Sequence, residues 1–322
     1  MCRTLLGIVA LVFACAVGSA VAQPYPSKPI RIVIPYVPGG GTDNLVRLLA
    51  PVVGASLGQQ LVIDNRPGGA SIIGTQVVAS AAPDGYTLLA SDSAVLVNPG
   101  LFKAKMPFDT VKSLTGVSMM AYAPVILVVH PSVPAKTFGE LVALAKAKPG
   151  KLNYASGGVG ASTHLAGELM KLAAGVDITH IPYKGTAAAL ADVLSGQVQM
   201  QFGGISSARQ YVESGRLRAL AVTGKQRSPA MPDVPTFEES GLPGFDADTY
   251  WGLYAPTGTP VEILNTLSQH FARALHSAAL AERLAALGYV PIANTPQEHT
   301  RQMHTMITRW TEVIDKAKIK IE

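Results

Sequence analysis

Apolar residues in this chain fall into short unbroken runs, separated by longer segments whose apolar positions recur at helical spacing. Ile30–Pro35 (IRIVIP) reads as a buried strand that ends in a PGGG turn. Thr42 or Asp43 can cap the helix that follows, whose apolar face is Leu45, Leu48, Leu49, Val52 and Val53. Pro51 lies inside this pattern and is expected to kink or divide the helix. Leu61–Asp64 reads as a second strand, NRPGGAS as a loop, Ile72–Ala81 as a helix and Tyr86–Ala90 as a third strand after the turn Pro83-Asp84-Gly85. This β-α-β-α-β order predicts a mostly parallel sheet covered by helices.

The pattern then restarts. Val125–Val129 is a strand, and Thr137-Phe138-Gly139-Glu140 has the form of a capping box for a helix reaching Lys148. Strands at Lys151–Ala155, Ile178–Pro182, Val198–Phe202 and Leu217–Val222 alternate with helices ending near Ala174 and spanning Thr186–Leu194 and Ser206–Glu213. A Pro-rich loop (229–243) leads to a strand at Tyr250–Tyr254. Helices with capping boxes at Thr259–Glu262 and Thr295–Glu298 follow, each with proline at the first helical position. Residues 23–123 with 252–322 are expected to form one lobe and 124–251 a second, with a hinge near 123–129 and 249–254.

Composition adds a compartment. The first 22 residues carry one Arg, then an apolar and small run ending in Ala20-Val21-Ala22, as in a secretory signal peptide cleaved near Ala22-Gln23. An uncleaved membrane anchor is the alternative, and Val12-Phe13-Ala14-Cys15 is a poor lipobox because Phe13 stands where a small residue is expected. The mature product is then periplasmic and not membrane-spanning, since no later apolar run reaches span length. Both cysteines, Cys2 and Cys15, lie in the leader, so the mature chain has neither disulfides nor thiolate chemistry. Loss of Arg3 leaves 25 basic against 21 acidic residues, a net charge of +4 without a basic stripe, which argues against nucleic-acid binding.

Two glycine turns each follow a strand and open a helix. Pro38-Gly39-Gly40-Gly41-Thr42-Asp43 lacks the Lys-Ser/Thr of a phosphate loop and the G-x-G-x-x-G spacing of a dinucleotide site. NYASGGVGASTH (153–164) likewise lacks a lysine, while Gly157, Gly158 and Gly160 allow close backbone approach and Ser162 and Thr163 offer hydroxyls at a helix start. Ligands of open α/β sheets bind at the carboxyl ends of strands, so two facing lobes would set two anion turns across one cleft. No catalytic centre, metal site or cofactor is read from the chain: there is no HExxH or G-x-S-x-G, and Asp43 and Asp92 lack an obvious partner. His299 and His304 read as surface residues and His164 as a packing residue or one behind the site.

The blocks YPSKPIRIVIPYVPGGGTD, VIDNRPGGASIIGTQVVASAAPDGYTLL, HPSVPAKTFGELVALAKAKPGKLNYAS, THIPYKGTAAALADVLSGQVQMQF, LRALAVTGKQRSPAMPDVPTFEESGLPGF and YWGLYAPTGTP resemble the Bug proteins. These are the TctC-like extracytoplasmic receptors of tripartite tricarboxylate transporters, and the resemblance runs in order from about Tyr25 to Ile319. It implies an α/β, two-lobed Venus-flytrap fold of the periplasmic binding protein type (type II-like), with two doubly wound lobes joined by two crossing hinge strands. It further implies a monomeric receptor without cofactor or enzymatic activity, closing on a small organic carboxylate and delivering it to TctA- and TctB-like permease subunits. By the same resemblance the first lobe holds a carboxylate through Tyr36, Pro38, Gly39, Gly40, Gly41, Asp43, Ser91, Asp92 and Ser93. The second contributes Ser156, Gly157, Gly158, Ser162, Thr163, Tyr183, Lys184, Gly185 and the loop of Phe202 and Gly203.

That last loop departs from the family pattern, since many relatives carry Asp after the Phe where this chain has Gly203. Loss of an acidic side chain should enlarge the pocket and favour an acid without an amino group, aromatic or bulky acids included. Two alternatives stay open: a sensor that presents its ligand-bound form to a signalling partner, and a secreted serine hydrolase using Ser162 and His164.

Overall fold

The computed structural model describes residues 25–319 except Lys184; the leader with Cys2 and Cys15 lies outside the described residues. Two sheets organise the chain. Sheet A has the order β11-β4-β10-β3-β1-β2 and sheet B the order β7-β6-β8-β5-β9.

In sheet A, β1 (Ile30–Ile34), β2 (Leu61–Asn65) and β3 (Thr87–Ser91) are parallel. β10 (Thr249–Pro256) runs antiparallel between β3 and β4 (Leu114–Ala123), and the short β11 (Val290–Pro291) closes the other edge. In sheet B, β6 (Asn153–Ser156), β7 (Thr179–Pro182) and β8 (Met200–Gly204) are parallel, while β5 (Val125–Val129) runs antiparallel to β8 and to β9 (Arg218–Val222). Both sheets are therefore mixed: parallel where βα units cover them and antiparallel where the chain crosses between them.

The helices of sheet A are α1 (Gly41–Leu57), α2 (Ile72–Ala79), α3 (Ala94–Phe102), α4 (Thr110–Ser113), α9 (Val261–Leu275), α10 (Ala278–Ala286) and α11 (Pro296–Lys316). Those of sheet B are α5 (Phe138–Ala147), α6 (Ser162–Ala174), α7 (Thr186–Leu194) and α8 (Ile205–Glu213). α11 buries Met303, Met306, Ile307, Trp310, Val313 and Ile314, a stripe at three- and four-residue spacing, in an apolar cluster that continues into sheet B through Leu127, Tyr154 and Phe202.

Several expectations are corrected. Pro51 neither ends nor divides α1; it is exposed, so water can take the carbonyl it leaves without a donor. The N-cap of α1 is Gly40 rather than Thr42 or Asp43. The Thr295–Glu298 box forms in full, and Thr137 accepts from Glu140 N, but Glu140 reaches back to Lys136 N. No box forms at Thr259: its hydroxyl donates to Pro256 O at 2.7 Å, and α9 starts after Pro260. His304 is exposed, whereas His299 is fully buried, packed on Gly116 and 4.7 Å from the Tyr254 ring. Burial holds its imidazole down at about 3.

Only Pro124 separates β4 from β5, and the chain returns from β9 to β10 through residues 223–248. At this crossing Val125 N donates to Thr223 Oγ1 at 2.7 Å, and that hydroxyl donates to the buried Asp248 Oδ1. One hydrogen-bond chain thus ties the start of β5, the end of β9 and the approach to β10.

Candidate functional site

Six strands end in short connections to helices, three along one edge of each sheet: β1 to α1, β2 to α2, β3 to α3, β6 to α6, β7 to α7 and β8 to α8. A helix start leaves N–H groups without internal partners, usually met by a side-chain cap. At all six of these starts the N-cap residue (Gly40, Ser71, Ser93, Ala161, Gly185 or Gly204) makes no side-chain cap. Of the five helices that start elsewhere, α4, α5 and α11 are capped by Asp109, Thr137 and Thr295, while α9 and α10, behind Pro260 and Ser277, are not; what sets the six apart is their gathering at the strand ends. The edges meet near α3 and β10: Ser162 Oγ lies 3.0 Å from Thr249 Oγ1, and a Cβ added at Gly160 would come within 2.7 Å of Leu101 Cδ1.

On the sheet A side, Pro38, Gly39, Gly40 and Gly41 are exposed, and Asp43 braces the turn from beneath. Its Oδ2 accepts from Gly39 N (2.9 Å) and Arg47 Nε (2.8 Å), and its Oδ1 from Asn65 Nδ2 (3.0 Å). Burial opposes ionisation of Asp43, but Arg47, the Gly39 N–H and Asn65 together hold its carboxyl below the ordinary range. The Tyr36 hydroxyl donates to Asp92 Oδ1 at 2.5 Å and lies 3.4 Å from the Ser91 hydroxyl. Asp92 Oδ1 also accepts from Ala94 N at 2.9 Å, and burial raises its pKa against these two donors. Ser93 Oγ accepts from Tyr250 N at 3.0 Å, which links the third turn to β10.

On the sheet B side the turn is again supported from beneath. Gly157 N donates to Thr163 Oγ1 (3.0 Å), Gly158 N to Ser156 Oγ (3.2 Å) and Gly160 N to His164 Nδ1 (3.1 Å). Gly158 and Gly160 have φ of 134° and 80°, which only glycine adopts without strain. Gly185 N donates to Gly157 O, and Tyr183, whose hydroxyl donates to Asp192 Oδ2 at 2.6 Å, borders the same turn. Lys184 lies outside the described residues. Ser156 is fully buried, and Phe202 is a core residue 6.4 Å from Tyr154 and 6.1 Å from Phe237, ring to ring. Gly203 is a buried strand residue paired with Ile126; Gly204 after it is exposed.

The expected residues therefore divide into exposed turn backbone (Pro38, Gly39, Gly40, Gly41 and Gly185), buried residues that shape it (Asp43, Ser91, Ser93, Ser156, Thr163, Phe202 and Gly203) and a half-buried set between them (Tyr36, Asp92, Gly157, Gly158, Ser162 and Tyr183). Asn65 and Asn98 went unread in the sequence. Asn98 Nδ2 donates to Ala70 O (2.8 Å) and Ser71 Oγ (3.1 Å), holding the β2–α2 turn, in which Ala70 and Ser71 have φ of 52° and 76°. The glycine pair in NRPGGAS was its available signal. Ser162 and His164 are each committed elsewhere, to Thr249 and to Gly160, and not to each other. A groove of about 790 Å³ runs along the edge of β9 and includes none of these turns.

The sequence profile described as the tripartite tricarboxylate transporter family receptor (TctC) matches residues 45–319. The chain belongs to this family. It is 36% identical over 321 residues to Protein BugT of Bordetella pertussis, covering 99% of this chain and 98% of that one. Among solved structures it is similar to R. palustris Rpa4515 with adipate (33% identity, TM-score 0.78, 92% of this chain and 99% of the other). It is also similar to MatC from Rhodopseudomonas palustris with bound malate (31% identity, TM-score 0.73, 90% and 100%). The two-lobed receptor fold expected from the sequence is shared with these proteins. Among the described residues no helix is long and apolar enough to cross a membrane.

Proposed function

We propose that this chain is an exported receptor that closes on a small organic carboxylate between its two sheets and delivers it to a TctA/TctB-like membrane permease. The observation that carries the reading is the gathering, at the strand ends of both sheets, of six helix starts whose N-cap residues make no side-chain cap, although in α3 the Asp92 carboxylate takes the first N–H. Such N–H groups and the positive ends of helix dipoles favour a carboxylate over a neutral solute. The adipate and malate held by two relatives agree with that chemistry. The leader supports export, and the crossings near 123–129 and 249–254 serve as the hinge.

Three of the exposed large apolar residues, Val37 (64%), Ile73 (54%) and Val159 (47%), lie in or beside these turns. With glycine at 203, they favour an acid whose carboxylates flank an apolar middle and which carries no amino group. A thermal-shift panel of aliphatic, aromatic and amino dicarboxylates tests this. Ligand at one hundred times its Kd adds about 2.7 kcal/mol, a shift of a few degrees. Shifts with aspartate or glutamate and none with adipate, malate or aromatic acids would refute the ligand class.

A further inference from the structure

Beneath the turn that leads into α6 lie two histidines that carboxylate binding does not itself call for. His164, in the first turn of α6 and 4% exposed, receives the Gly160 N–H on Nδ1. His180, on β7, stacks on it with ring centroids 3.9 Å apart and 20° between planes. The Tyr154 ring stacks on His180 in turn, at 4.9 Å. His180 Nε2 lies 2.6 Å from Ser156 Oγ, and Ser156 both accepts from Gly158 N and donates to Gly158 O. The glycine turn thus sits on a column of three rings and is fastened to it at Gly158 and Gly160.

A ring nitrogen that accepts an N–H carries no proton, so this geometry fixes His164 as the Nε2–H tautomer. Protonation of Nδ1 would break the bond to Gly160 and set a cation against the second imidazole. The neighbouring charges do not invite it. Glu168 is already committed to the Tyr154 hydroxyl (2.8 Å) and to Lys171 (3.0 Å), and Lys171 is itself a cation. Burial, then His180 and Lys171, push His164 down to about 3; burial and Lys171, against Glu168, take His180 to about 4. The pair is neutral throughout the neutral range.

We propose that His164 and His180 are positioning residues for the carboxylate-binding turn of sheet B. Their uncharged rings hold Gly158 and Gly160 inward and leave the N–H groups of Ser162 and Thr163, which have no internal acceptor among the described residues, for the ligand. This rests on the carboxylate reading of the site, but the tests separate the two.

Long-range 1H–15N correlation spectra of the unliganded mature chain report the histidine tautomers directly. A neutral His164 with its proton on Nε2 from about pH 6 to 8 is expected; an Nδ1–H tautomer or an imidazolium in that range overturns the proposal. His164→Phe keeps a ring in the column and removes the acceptor, whereas His164→Gln restores an acceptor. Loss of one such bond should speed Gly160 amide exchange and weaken adipate binding by about five- to tenfold each in the Phe variant. The Gln variant should recover most of both, with thermal midpoints of the two within a few degrees. Equal Gly160 protection in the native and Phe proteins would also overturn it. If adipate fails to bind the native protein, the choice of ligand falls, while tautomer and exchange still decide the positioning role.

Discussion

Asp248 places an acid in the crossing between the sheets with one hydroxyl for a partner. Its residue is 4% exposed, Thr223 donates to Oδ1, and the charged groups around it are Asp246, a like charge, and Arg309, which is held by Asp246 at 3.0 Å. Burial raises the carboxyl from an ordinary 3.8 to about 7, with Thr223 opposing, Asp246 adding and Arg309 subtracting. Below pH 4 both folded and unfolded chains hold the proton, and the group has no effect on stability. Between about pH 4 and 7 the unfolded chain has lost a proton that the folded chain keeps, so stability falls as pH rises. Above 7 both are ionised and the full cost is present. At about 1.4 kcal/mol per pH unit the cost approaches roughly 4 kcal/mol, a ceiling that relaxation and water entry lower. Asp248→Asn keeps the shape and an acceptor for Thr223 and cannot ionise. Denaturant midpoints of both proteins, measured from about pH 4.5 to 8.5, should show the Asn variant gaining on the native protein as pH rises. The difference should level off beyond about pH 7.5. A difference that stays flat across this range, whatever its sign, would show that Asp248 is not a buried, proton-retaining carboxyl.

Other outcomes follow from single contacts. Gly167→Ala would set a Cβ 2.1 Å from Cε2 of the fully buried Tyr154, so a loss of about 3 kcal/mol, read by thermal melting, is expected. Phe202→Ala should cost about 3–5 kcal/mol of stability while the affinity per folded molecule, by calorimetry with adipate, changes little; an affinity loss above tenfold with unchanged stability would return Phe202 to the ligand surface. Thr163→Ala frees the Gly157 N–H and should weaken binding severalfold with a melting point within a few degrees of native.

The βα units could be read from the chain because each buries a short apolar run and an amphipathic helix with its own turn chemistry. Their helices start within a few residues of where glycine, serine and threonine place them. What escaped depends on distant partners. β4 (LTGVSMMAYA) has no clean alternation because it lies between β10 and β11 and is buried along most of its length. α3 carries Pro99 and is buried nearly all round, so neither its composition nor its period announces a helix. His299 lies four residues before Met303, in register with the buried stripe of α11, and only its polar side chain reads as surface; it packs inside against Gly116. In the candidate site the glycine turns could be read as turns. The division between exposed backbone and bracing side chains could not, because Asp43 with Asn65 and His164 with His180 are pairings made by folding.

Gly40 and Gly204 have φ of −77° and −74°, angles open to any residue, and nothing lies within 3.4 Å of a Cβ added to either. Neither backbone conformation nor space demands glycine there. A cap such as serine or aspartate at these positions would ordinarily stabilise a helix by about 1 kcal/mol, and stability-guided engineering would select it early. On the proposed carboxylate reading the same change would fill the helix start from within, with aspartate adding a like charge. The result would be a hardier protein with a blunted response to its ligand, so the positions easiest to improve for shelf life are those at which a biosensor built on this scaffold should be left alone.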